Sequence, residues 1–124
     1  MRSHDERKVA DVVQEMLDAF GFAASLEDCT VQTDVRETYG AYRFKRGDRV
    51  VELAATALER CGFAVTTALS GGGADANVFN ARGIPCLNIA NGMAEIHTSA
   101  EHIAVADLDA MVDVTLALVD AARA

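Results

Sequence analysis

Apolar residues recur at Val9, Val12, Val13, Met16, Leu17 and Phe20, the i, i+3, i+4 spacing of one helix face. Ser3 or Asp5 stands where an N-cap is needed, and Gly21 stands where such a helix would stop. The period then falls to two. Cys29, Val31, Thr33 and Val35 alternate with Thr30, Gln32, Asp34 and Arg36, which predicts a half-buried strand running loosely on through Tyr39, Tyr42 and Phe44. The basic stretch Arg43 to Arg49 reads as a solvated linker rather than an anion-binding patch, and a boundary is placed there. Asp48 next caps a second amphipathic helix, with Val50, Leu53, Ala54, Ala57, Leu58 and Cys61 in register and Gly62 as its stop.

Beyond Gly62 the pattern predicts a strand over 63–69, a glycine-rich turn over 70–74, and a short helix over 75–82 ended by Gly83. A second strand is predicted over 84–90, containing the single proline, Pro85. Strand, turn, helix and strand in that order make a right-handed, parallel βαβ unit. A last helix over 107–122 confines Asp109, Asp113 and Asp120 to a narrow stripe and is otherwise apolar, as a helix lying on a sheet would be. The expected fold class is therefore mixed α/β (α+β).

Composition narrows the function classes. With 51% hydrophobic and 24% charged residues over 124 positions, the chain has globular rather than disordered composition. Its net charge of −8 makes nucleic acid or an anionic membrane a poor partner. Cys29, Cys61 and Cys86 are odd in number and contain no C-x-x-C, which fits reduced core thiols in a cytoplasmic protein better than a disulfide framework. No apolar run approaches a membrane span, and the start is not patterned as a signal peptide.

Two stretches could carry chemistry. In Ser70-Gly71-Gly72-Gly73-Ala74-Asp75-Ala76-Asn77, three glycines separate a predicted strand from a predicted helix. Backbone N–H groups there could meet an anion such as a carboxylate or phosphate; a tight turn alone would need one glycine. The same turn satisfies a relaxed dinucleotide fingerprint, but no acid for a ribose ends the second strand and no Walker lysine follows. The second stretch is Glu95-Ile96-His97-Thr98-Ser99-Ala100-Glu101-His102. Loops past the carboxyl ends of parallel strands are where α/β sites assemble, so His97 is expected on a rim with the glycine turn. An imidazole there could bind a metal or move a proton, or simply lie on the surface. His97, His102 and Glu101 could also form a local site, though the spacing matches no standard pattern.

Taken in order, Ser70 to Asn77, then Asn80-Ala81-Arg82-Gly83-Ile84-Pro85, Asn88, Gly92, and Ile96-His97-Thr98 with Glu101 and Ile103 resemble the C-terminal end of the co-catalytic zinc aminopeptidases and deacylases. That family includes peptidase T, carboxypeptidase G and acetylornithine deacetylase, and the peptidase T-like branch is the nearest in wording. The resemblance is most specific over 68–108. It extends to Arg2-Ser3-His4-Asp5, which is similar to a strand-to-helix turn of the family's lid domain. Ala74 departs from the Ser or Thr common at its position, so a hydroxyl contact to substrate would be missing.

The resemblance implies that residues 1–45 are the later half of a lid and dimerisation domain, a helix plus antiparallel strands. Residues 46–124 would be the closing segment of a zinc-binding catalytic domain. It implies that His97 is a zinc ligand, that Gly71, Gly72 and Gly73 meet the substrate's backbone or carboxylate, and that Arg2 reaches substrate from the lid. Asp75 and Asn77 would hold the turn beside the site. In such enzymes two zinc ions generate a hydroxide and polarise the scissile carbonyl of a small peptide or acylated amino acid. The family's other ligands and its glutamate base have no counterparts here, so no catalytic residue is expected within the chain. Because a zinc site needs at least three protein ligands, the expectation is a fragment, inactive alone, that self-associates through the lid or through exposed sheet edges. The rival expectations are a nucleotide- or phosphate-binding α/β module using the Gly71 to Gly73 turn, and a non-catalytic interaction module.

Overall fold

Helix α1 spans Glu6–Leu26. Asp5 caps it, its Oδ1 accepting the Arg7 amide at 3.1 Å and lying 3.5 Å from the Lys8 amide, which serves donors that the first turn leaves unpaired. The helix does not stop at Gly21. It runs through to Leu26 because Phe22-Ala23-Ala24 can continue it, and an interior glycine costs only about 1 kcal/mol. This is a computed structural model, and it describes residues 3–26 and 29–123.

Helix α2 spans Arg49–Arg60, α3 spans Asp75–Ala81 and α4 spans Val105–Arg123. Asp48 occupies the N-cap of α2 in extended backbone, but its side chain turns back to accept the Lys45 amide at 2.7 Å instead of capping. The two glycine stops hold. At Gly62 (φ +84°), the Gly62 amide donates to Glu59 O and the Phe63 amide to Leu58 O, both at 3.0 Å. At Gly83 (φ +77°), the amides of Gly83 and Ile84 make the same pair of bonds to Asn80 O and Phe79 O, again at 3.0 Å. Both ends are Schellman closures, and both need the left-handed conformation that glycine takes without strain.

The strand expectations fail. Among the described residues there is no β-strand and no sheet, so neither the antiparallel lid strands nor the βαβ unit is present. The single β-type pairing among them is an isolated antiparallel bridge between Ala94 and His102. The physical reason is that alternation marks which face of a segment could be buried, whereas a ladder needs a neighbouring segment to exchange hydrogen bonds. Among the described residues no segment forms such a ladder with 29–36, and their apolar face is not covered: Val31 is 47% and Val35 59% exposed. The mixed α/β assignment is corrected, among the described residues, to four helices joined by irregular segments.

The chain divides into two units, Met1–Arg43 with Ser70–Ile84, and Phe44–Leu69 with Pro85–Ala124. In the second, α2 packs on α4, burying Ala54 and Ala57 against a face that includes the buried Val114. The apolar register read from the sequence of α2 is thus the packed face. In the first unit α1 buries no residue, and Val12, Met16 and Phe20 remain 41–52% exposed. The accessible surface of 9989 Å² compares with about 6,400 Å² for a compact chain of this mass. Two separate bodies of half the mass would expose about 7,700 Å² together. The uncovered surface is therefore a property of the units themselves. No helix among the described residues is long and apolar enough to cross a membrane.

Candidate functional site

The glycine turn is held inside the first unit by contacts distant in sequence. Asn77, only 7% exposed, uses both ends of its amide: Oδ1 accepts the Ala74 N–H at 3.0 Å and Nδ2 donates to the Gly40 carbonyl at 2.8 Å. His4 Nε2 lies 3.0 Å from the Ser70 carbonyl oxygen, to which the ring can only donate. The Gly72 amide donates to Ser70 Oγ at 3.2 Å. Two of the turn's amides are thus engaged within the turn, and α3 behind it has seven residues, a short stack of peptide dipoles. Asp75 is the first residue of α3 and is exposed. Ala74 sits at its N-cap, where the Asn77 amide donates to the Ala74 carbonyl at 2.9 Å.

Gly73 has a packing reason of its own. A Cβ built there would overlap Tyr39 Cζ and its hydroxyl oxygen, so the tyrosine ring rests directly on the glycine backbone. Gly71 has open space at the corresponding position, and Gly72 meets only Ser70 Oγ at 3.6 Å. The three glycines therefore divide, with one required by Tyr39 and two that have room for a side chain. Gly73→Ala should displace the Tyr39 ring and lower stability by about 1–3 kcal/mol. A double-mutant cycle with Tyr39→Ala, read by urea unfolding, should recover most of that loss; additive losses would count against the contact.

His97 lies in the second unit, on a loop closed by the Ala94–His102 bridge (N···O 2.9 and 3.2 Å). Glu95 (φ +52°) and His97 (φ +68°) both adopt left-handed backbone although neither is glycine, and such conformations gather at functional sites. Thr98 ties the turn: its amide and hydroxyl both donate to the Glu95 carbonyl, at 3.1 and 2.8 Å, and its Oγ1 accepts the Ala100 amide at 3.1 Å. The His97 amide donates to Glu101 Oε2 at 2.9 Å. His102 Nδ1 is 2.8 Å from the Ala100 carbonyl oxygen. The His97 side chain is exposed.

These contacts give Glu101 and the His102 ring partners within the loop, so the three groups do not converge as a local metal site. Among the described residues, no group of three or more His, Cys, Asp and Glu side chains could hold a metal ion. These side chains do not fit a complete metal centre. The glycine turn and His97 fall in different units. Arg2, expected to reach substrate, lies outside the described residues. His4, Tyr39 and Gly40 are the turn's supports that sequence reasoning missed. His4 stands 66 positions from Ser70 and Gly40 stands 37 from Asn77, and no local period connects residues so far apart.

The model of peptidase family M20/M25/M40 matches residues 4–121. The chain belongs to that family. Among curated proteins it is 33% identical over 121 residues to the uncharacterized protein YqjE of Bacillus subtilis strain 168, covering 98% of this chain and 33% of YqjE. Two solved structures are similar. The aminopeptidase PepT of Bacillus cereus ATCC 10987 is 40% identical, with a TM-score of 0.67 over 69% of this chain and 23% of the enzyme. A tripeptidase of Staphylococcus aureus subsp. aureus Mu50 is 28% identical, with a TM-score of 0.85 over 98% of this chain and 33% of the enzyme. This M20/M25/M40 chain spans about a third of the length of the curated relative it matches. The peptidase T-like resemblance read from residues 68–108 agrees with these neighbours.

Proposed function

We propose that the chain is the part of a zinc-dependent, peptidase T-like exopeptidase that contributes one metal-binding histidine, His97, and a substrate-contacting turn, Gly71 to Gly73. The whole protein would hydrolyse an amide next to a free terminus of a small peptide or acylated amino acid. The observation that carries the reading is His97 itself, an exposed imidazole on a left-handed backbone in a closed loop, within a chain of peptidase family M20/M25/M40. Neutral imidazole is a standard zinc ligand. Arg2, in this reading, reaches substrate, while Asp75 and Asn77 support the turn. Residues 1–45 act as lid and 46–124 as catalytic-domain segment, in a cytoplasmic enzyme.

The chain by itself is inactive in this reading, because a zinc centre needs at least three protein ligands and His97 is one. The test is a chimera in which the aligned third of the Staphylococcus aureus tripeptidase is replaced by this chain. The isolated chain should show no tripeptide hydrolysis with added zinc, and the folded chimera should show it. Zinc-dependent turnover by the isolated chain, or a folded chimera without activity, would overturn the reading.

Self-association belongs to the same proposal and rests on α1. Its face of Val12, Met16 and Phe20 is half-exposed, and the surface beyond that of two compact bodies, about 2,300 Å² by the size scaling, is in the range of obligate interfaces. Sedimentation velocity should show a concentration-dependent dimer, which Met16→Glu weakens. A strictly monomeric profile at high concentration would remove this part.

A further inference from the structure

We infer that Glu101 is a positioning residue for His97: its carboxylate holds the His97 backbone left-handed and so fixes how the imidazole is presented. This rests on the reading of His97 given above for its purpose, but its physical basis is the loop alone. The loop ends are pinned by the two bonds between Ala94 and His102. Between them, the Thr98 amide and hydroxyl fasten the Glu95 carbonyl, and the Glu101 amide donates to the Thr98 carbonyl at 3.2 Å. These bonds close a turn that spans Ile96 and His97 but leave the His97 N–H without a partner in the turn itself. The group that takes it is the Glu101 carboxylate, at 2.9 Å from the His97 nitrogen.

A non-glycine residue at φ +68° carries a conformational cost, and an ionised acceptor makes a stronger bond to a backbone N–H than a neutral one. The carboxylate therefore offsets the strain at the residue whose side chain must point outward. It also gives Glu101 a definite task within the loop, the backbone bond, in place of joining His97 and His102 around a metal.

The test is amide hydrogen exchange by NMR on the chain as it stands, comparing the parent with Glu101→Ala and Glu101→Gln. Exchange at the His97 amide should quicken about tenfold or more in Glu101→Ala. In Glu101→Gln, which keeps an acceptor oxygen, part of the protection should return. The amides of Ala94, His102 and α4 should stay within about twofold of the parent, since their bonds do not involve the carboxylate. Unchanged exchange at His97, equal quickening at Ala94 and His102, or a Gln variant no better than Ala would each overturn the inference. Exchange reads the backbone and not hydrolysis, so failure here leaves His97 as a proposed ligand untouched, and loss of that ligand role leaves the backbone result standing.

Discussion

Replacing His97 with alanine in the chimera is expected to lower kcat/KM for tripeptide hydrolysis by more than about a hundredfold while the melting temperature stays unchanged. The magnitude follows from ligand chemistry: outer-shell losses at metal sites already cost 10- to about 100-fold, and an inner ligand should cost more. The unchanged stability follows from exposure, since the His97 side chain is exposed and its removal empties no core. His97→Asn is the companion variant, asparagine being at home at positive φ. Both should lose activity alike. If either folded variant keeps near-parental kcat/KM, His97 is not the ligand, and the proposed zinc role falls with it.

Asn77→Ala is expected to be the most destabilising single change in the described part of the first unit, at about 2–4 kcal/mol. The side chain is nearly buried and serves two backbone groups at once, the Ala74 N–H and the Gly40 carbonyl. Alanine would leave both without that partner, and a loss of this size is a large fraction of a typical folding free energy of about 5–15 kcal/mol. Asn77→Asp separates the two bonds. Its carboxylate still accepts from Ala74 but cannot donate to Gly40, so Ala74 amide protection should persist while the tie to Gly40 is lost. Urea unfolding with exchange at the Ala74 amide measures both. A cost for Asn77→Ala below about 0.5 kcal/mol, the range of ordinary surface changes, would show that the clamp is not what holds the turn.

Much of the candidate site is legible in the order of residues along the chain. The glycine run and the His97 stretch stand in the order and spacing of the family, and the match over residues 4–121 agrees. What reads differently in three dimensions is why the residues are there. Gly73 has the look of an anion cradle in the sequence, yet Tyr39 lies across it. Asn77 is expected in a supporting place, and the structure supplies the bonds through which it acts. Glu101 is a possible metal partner of His97 by nearness in the sequence, though at no standard spacing, but its carboxylate meets the histidine's backbone.

By itself the sequence determined the helices and their glycine ends. Helical hydrogen bonds join residues four apart, so the apolar period, the Asp5 cap and the stops at Gly62 and Gly83 are all written within a few positions. Gly21 shows the limit, because a stop signal acts only where the following residues cannot carry the helix on. Tertiary structure decided everything that needs a distant partner. Alternation over 29–36 could not make a strand without a neighbouring segment to complete its ladder. Tyr39 on Gly73 and Asn77 on Gly40 bring together positions more than thirty residues apart. Those pairings depend on the path of the chain in space, which no local pattern encodes.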